Sequence, residues 1–181
     1  MPEDWVLERI RRLEDRFALE DLAASYCSAI DERDLPRFLS LFTDDAVMRH
    51  RDGVMRLEGK AAIESYYTQR FAGYSFTFHY PHAVTVSFES PDDATGAVTG
   101  HAEMGVEGQL VLASIRYTDR YRRIEGAWRF TERELAFGYY MKLSELPEGF
   151  KDALRKDYRG ERIEAEWPEA LETYKRLHGG A

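Results

Sequence analysis

Four side chains spread along this chain, Tyr26, Asp31, His79 and Arg133, have the chemistry of a general acid–base site. Imidazole is the usual base at neutral pH, and a carboxylate beside it is the usual group that orients it. A phenol can donate a hydrogen bond to a leaving group or a carbonyl, and a guanidinium can stabilise developing negative charge. Each residue also has a plainer reading. Asp31 is followed by Glu32, Arg33 and Asp34, as a solvated acid at a helix end would be. An acid in that place opposes the helix dipole, however, which favours a reason for it. His79 could be a satisfied structural histidine, and His82, three positions on, is a rival base. Arg133 shares strand parity with Leu135, Phe137 and Tyr139, an expensive place for a charge unless it is functional or paired, with Asp31 or Glu103 as partner. His101 shares a strand face with Glu103 and could line the same cavity. Cys27, among apolar residues of a helix, reads as a buried thiol rather than a nucleophile.

These residues need elements that bring them together. Leu7, Ile10, Leu13 and Phe17, then Leu22, Tyr26 and Ile30, recur at helical spacing and predict a helix that Asp31 closes. Asp34 can cap a second helix, with Pro36 in its first turn and Phe38, Leu41 and Phe42 as its apolar side. Val47–His50 and Val54–Leu57 fit a hairpin around Arg51-Asp52-Gly53. A third helix is expected from after Gly59 to about Phe71. Long extended runs then follow, Phe76–Phe88, Thr95–Val106, Leu110–Arg123 and Ala127–Lys142, separated by Ser90-Pro91-Asp92-Asp93, Glu107-Gly108 and Glu125-Gly126. Helices first and a meander of strands afterwards is an α+β order. In the Phe76–Phe88 run, His79 and the Val84, Val86, Phe88 set have opposite parity. Both sheet faces are therefore used, or Pro81 marks a bulge.

The 181 residues suit one core, with 44% hydrophobic and 13% aromatic residues, enough to line an apolar cavity. A net charge of −8 argues against nucleic acid or anionic membranes as partners. The single cysteine excludes an intrachain disulfide and a cysteine-based zinc site. Five histidines with no HxH and no helical i,i+4 pair give no metal site. His50 and His178 look like surface residues. The N-terminus lacks a signal-peptide core, and no apolar stretch approaches about 18 residues, so a cytoplasmic location is expected. Residues 1–142 read as the domain. Residues 143–181, with Phe150, Tyr158, Trp167 and Tyr174 among charges and one or two short helices, read as an extension that covers a pocket mouth or clasps a neighbouring subunit.

Three segments carry a family resemblance. They are Tyr26-Cys27-Ser28-Ala29-Ile30-Asp31 followed by Phe42-Thr43-Asp44-Asp45-Ala46-Val47, then His79–Phe88, and then Tyr117-Thr118-Asp119-Arg120-Tyr121 with Gly126-Ala127-Trp128-Arg129-Phe130. Over roughly residues 15–140 the chain resembles the SnoaL-like branch of the NTF2-like family. The resemblance implies a cone, a curved antiparallel sheet wrapped around N-terminal helices. Within the branch the likeness is to hexachlorocyclohexane dehydrochlorinase, bile-acid 7α-dehydratase and scytalone dehydratase, which are cofactor-free lyases. On that pattern Asp31 and His79 form the acid–base pair, with Tyr26 and Arg133 assisting. His101, His82, Phe137, Tyr139 and Cys27 line the pocket. The dehydrochlorinase pattern has lysine where this chain has Tyr26, and tyrosine there is the bile-acid enzyme's residue, which leans toward loss of water. The resemblance thus implies a dehydratase-like lyase without cofactor, an apolar cyclic substrate such as a steroid or polyketide, and a homo-oligomer, a trimer above a dimer. Isomerase or polyketide-cyclase chemistry on the same fold, and a non-catalytic apolar-ligand-binding module, are the alternatives.

Overall fold

A computed structural model describes residues 2–158 and 160–179. Helix α1 (Pro2–Asp31) is followed by α2 (Leu35–Ser40), strands β1 (Phe42–His50) and β2 (Arg56–Glu58), and α3 (Lys60–Gly73). Four long strands come next: β3 (Tyr74–Phe88), β4 (Asp93–Val106), β5 (Gln109–Ile124) and β6 (Ala127–Lys142). Local chemistry places the boundaries. The Asp34 carboxylate accepts the Arg37 backbone N–H at 3.0 Å and starts α2, with Pro36 in its first turn. Glu107-Gly108 and Glu125-Gly126 have positive φ at both positions, the type I′ geometry that joins two twisted antiparallel strands by two residues.

The sheet is curved and open, with order β2-β1-β6-β5-β4-β3. β3 to β6 form the expected antiparallel meander. β1 lies parallel to β6, so the sheet as a whole is mixed. The helices cover one face, over a core that includes Tyr26, Phe38, Phe42, Ile63, Tyr117 and Phe130. No helix is long and apolar enough to cross a membrane among the described residues.

Two irregularities decide which side chains reach that core. In β3, Tyr80 and Pro81 pair with His101 and Gly100, but Val84 pairs with Val98, so β3 holds one extra residue. This bulge lets His79 and the Val84, Val86, Phe88 set face the core together, which resolves their opposite parity. In β6, Phe137 pairs with Ile115 but Tyr139 pairs with Ser114, so Gly138 is the extra residue. Phe137 therefore faces the core, and Tyr139 faces the other side.

Helix α1 is pinned to the sheet by two carboxylates. Buried Asp15 accepts from Trp128 Nε1 at 3.0 Å and Arg123 Nη2 at 2.7 Å, and Asp31 binds β3. The anchors are sixteen residues apart, about 24 Å of helix. The apolar stripe splits along α1: Leu22, Tyr26 and Ile30 are buried, whereas Leu7, Ile10, Leu13 and Phe17 are exposed.

The extension has more regular structure than its sequence suggests. A 3-10 turn (Leu143–Glu145) and α4 (Leu146–Gly149) lead into a hairpin, β7 (Lys156–Tyr158) and β8 (Glu161–Ile163), and then α5 (Glu172–His178). β7 joins β6 in parallel beyond the end of β1, and the Glu166 N–H donates to Phe137 O, so the extension closes an otherwise free edge. Buried Lys156 fastens it, donating to Asp52 and Glu166 at 2.6 Å each. His50 is not the surface residue expected from the sequence. Its ring sits 5.1 Å from that of Phe137, and its Nδ1 is buried without a partner. Burial first, and then the Lys156 ammonium, pull its pKa down to about 4.

A histidine held neutral by folding contributes stability above its unfolded pKa of about 6.5 and loses it as pH falls toward the folded value. Unfolding free energy is therefore expected to drop between about pH 6.5 and pH 4, with His50 supplying at most about 3 kcal/mol of the loss. Asp52 and Glu166 also have shifted pKa values, so the His50→Leu variant isolates the histidine. Urea unfolding across this range should show a shallower acid-side decline for the variant. Parallel curves would assign the decline to other groups.

Candidate active site

The end of α1 and the middle of β3 meet at a two-point contact. Asp31 Oδ1 lies 2.6 Å from His79 Nδ1, and Asp31 Oδ2 accepts the His79 backbone N–H at 2.8 Å. The backbone bond fixes the carboxylate, and the carboxylate favours the tautomer with the proton on Nδ1. His79 Nε2 has no hydrogen-bond partner among the described residues. The cost of an acid at a helix C-terminus is offset locally. Arg33, at φ 60°, turns its guanidinium back onto the Ile30 and Asp31 carbonyls at 2.8 and 3.3 Å and onto the Thr77 hydroxyl at 2.6 Å.

Tyr26 and Arg133 form a second, deeper contact. The Arg133 guanidinium carbon lies 4.0 Å from the Tyr26 ring centre, 4.1 Å from Phe130 and 4.2 Å from Tyr117. Its buried partner is Asp119 rather than Asp31 or Glu103. Nε and Nη2 donate to the two carboxylate oxygens at 2.8 and 2.9 Å, and Tyr121 donates to the same carboxylate. Burial opposes the charge, but Asp119 outweighs it and holds the guanidinium ionised. Arg133 Nη1 is buried and unpartnered. The Tyr26 hydroxyl lies 3.1 Å from that of Tyr67 on α3, and burial raises its pKa, so it remains a donor.

The two contacts are linked through α1, along which Tyr26 and Asp31 stand about 7–8 Å apart. Cys27 lies within the electrostatic reach of both Arg133 and Asp31. Burial pushes its thiol up to about 11, with Arg133 opposing and Asp31 adding, which suits an inert wall rather than a nucleophile. The site grades from accessible to sealed. The Asp31 and His79 side chains are 22% and 11% exposed, whereas Tyr26 and Arg133 are each 1% exposed. Phe137 faces the same interior.

The other expected pocket residues lie elsewhere. His82, His101 and Tyr139 are on the opposite face of the sheet, where His82 Nε2 and His101 Nδ1 are 2.8 Å apart. The bulges in β3 and β6 put His82 and Tyr139 there, and the regular alternation of β4 puts His101 there. His82 is thus separated from Asp31, and His79 is the histidine that the carboxylate holds. Asp119 and Tyr67 were missed from the sequence. The demand for a carboxylate near Arg133 was legible, but its position was not.

The SnoaL-like domain matches residues 11–134, and the chain belongs to that family. It is 28% identical over 139 residues to the γ-hexachlorocyclohexane dehydrochlorinase of Sphingobium indicum, covering 74% of this chain and 86% of that one. The crystal structure of LinA superimposes with a TM-score of 0.70 at 24% identity, over 75% of this chain and 94% of that one. A Novosphingobium aromaticivorans structure, provisionally named a scytalone dehydratase, gives 0.70 at 18% identity, over 74% and 90%. These two structures speak for the fold, an NTF2-like α+β cone.

Asp119→Ala would leave a fully buried guanidinium without its counter-charge. It should cost about 3–5 kcal/mol in urea unfolding. The double variant Asp119→Leu/Arg133→Met, which removes both charges, should recover most of that loss. If Asp119→Ala is neutral, the ion pair does not hold the core as described.

Proposed function

We propose that this chain is a lyase that works without a cofactor and eliminates a small leaving group, water before halide, from an apolar cyclic molecule such as a steroid or polyketide. The observation that carries the reading is the Asp31–His79 contact, with Nδ1 held by the carboxylate and Nε2 without a hydrogen-bond partner among the described residues. His79 Nε2 removes a proton from carbon. Asp31 stabilises the imidazolium that forms, and Tyr26 donates to the departing oxygen or to a carbonyl of the substrate, its proton being available when Tyr67 is the donor within their pair. Arg133 supports negative charge through its field in a low-dielectric interior and through its unpaired Nη1. The relatives named as dehydrochlorinases support elimination as the reaction class. Tyr26 supports water as the leaving group, because a phenol can protonate hydroxide as it leaves.

The same phenol could instead stabilise an enolate while His79 returns the proton, which is isomerase or cyclase chemistry. Mass spectrometry of products from a panel of steroid-like and polyketide compounds separates the readings. Elimination yields a product lighter by the leaving group and one proton, isomerisation conserves mass, and a binding module returns every compound unchanged.

On this reading His79→Ala and Asp31→Asn should each lower turnover by about 10²–10⁴-fold without unfolding the protein, and the double variant should be little worse than His79→Ala. Independent, multiplying losses would argue against a joint role.

Assembly and the extension belong to the same proposal. Phe76, Phe78 and Tyr80 project from the sheet face away from the helices, 38–49% exposed, and a second copy would cover them. Light scattering should report a multiple of the 21.0 kDa chain, with three copies favoured. Truncation after Ser144 should preserve that mass and abolish turnover if residues 143–181 close the cone. A truncated chain that falls to a single copy would make the extension a clasp, and one that keeps both mass and turnover would make it a passive appendage.

A further inference from the structure

The face of the sheet opposite the acid–base pair carries its own pocket, about 490 Å³, a size that suits a small molecule. Its walls include His82, His101, Ser114, Arg116, Tyr139 and Trp167, and no acidic residue lines it. The geometry points to this pocket as a binding site for a small aromatic anion, of the carboxylate class, separate from the elimination site.

Three observations carry the inference. Arg116 has no carboxylate partner and no hydrogen bond among the described residues, in a chain of net charge −8 where most arginines are paired. Its guanidinium carbon lies 4.1 Å from the centre of the Trp167 ring, and stacking of this kind fixes the plane of the fork while leaving its N–H groups free. Trp167 in turn sits over Gly138, where an added Cβ would come within 2.7 Å of the indole, so the bulge residue in β6 makes the seat for the ring. The extension thus places a rigid aromatic wall and orients a cation in one step. Finally, Trp167 Nε1 is buried without a partner, and the His82–His101 pair presents imidazole N–H capacity on the other wall. Tyr80 stacks on His101 at 4.6 Å and holds that ring in place. Glu103 shares this sheet face but does not line the pocket.

Donors on two walls and a cation stacked on a flat ring suit a planar ligand that carries one anionic group. Two sources could supply that group, a free aromatic acid or a carboxylate of a second copy of this chain docked on the aromatic patch of β3. The free acid is favoured, because stacked rings on the walls match a planar body better than an aliphatic acidic side chain.

The test is titration calorimetry of the full chain with benzoate and with its neutral isostere benzamide, alongside light scattering of the same samples. Saturable binding of benzoate, weak or absent binding of benzamide, and at least about tenfold weaker benzoate binding to Arg116→Gln are expected. Arg116→Lys, which keeps the charge but loses the planar fork, should fall between and covers the case in which Arg116→Gln folds poorly. Turnover at the His79 site should be unchanged in a folded Arg116 variant, so failure here is distinct from failure of the elimination reading. Equal affinity for benzamide, undiminished benzoate binding to Arg116→Gln, or no benzoate binding at all would overturn the proposal. A loss of assembly mass in Arg116→Gln without any benzoate binding would overturn it in favour of the second copy's carboxylate.

Discussion

The Asp31 carboxylate makes two bonds to one residue, and the rest of the site depends on both. The bond to the His79 backbone N–H joins the last residue of α1 to β3, and the bond to Nδ1 orients the ring. With Asp15 holding the middle of the helix to β5 and β6, α1 has little freedom to slide across the sheet. That fixes where Tyr26 and Cys27 project, and hence where Arg133 finds its aromatic neighbours. Moving Asp31 by one helical position would rotate it by about 100° and separate it from the strand. The Arg33 turn, which satisfies the carbonyls of the helix end, leaves the carboxylate free to serve the histidine.

The interior is unusually costly for its size. A guanidinium with its Asp119 partner, the Lys156–Glu166 pair and several phenols are buried in or beside an aromatic core. Each charge survives because a partner is fixed to it, Asp119 for Arg133, Asp52 and Glu166 for Lys156. Such pairs add little net stability over well-packed apolar residues, yet breaking one is expensive. They are therefore better understood as positioning devices. Asp119 holds Arg133 flat against three rings with one nitrogen spare, and the Lys156 cluster holds the extension on the edge of β6.

Much of the fold was legible in the sequence. Strand lengths, the Glu-Gly turns and the Asp34 cap are local signals, and local physics decides them. The pairing of Asp31 with His79 was not a local signal. It came from segment resemblance, since the residues are far apart in sequence and nothing in their spacing shows that they meet. Face assignment by parity failed wherever a strand gained a residue. Beyond Gly138 it misplaced Tyr139, and at Pro81–Val84 it left His79 and His82 as open rivals. A bulge is set by how two strands pair, which neither strand alone records. The partner of Arg133 was anticipated in kind but not in place, and the β7–β8 hairpin was missed because its strands are three residues each, too short for alternation to show.

The central claim is that Asp31 holds His79 as a base with its free nitrogen toward the substrate. The ¹⁵N chemical shifts of the His79 ring, assigned against His79→Gln, test this most directly. The account predicts, for the neutral ring in the folded protein, a protonated Nδ1 and an unprotonated Nε2, and predicts that Asp31→Asn abolishes this preference. A proton on Nε2 with Nδ1 bare, or a tautomer indifferent to Asp31→Asn, would contradict it.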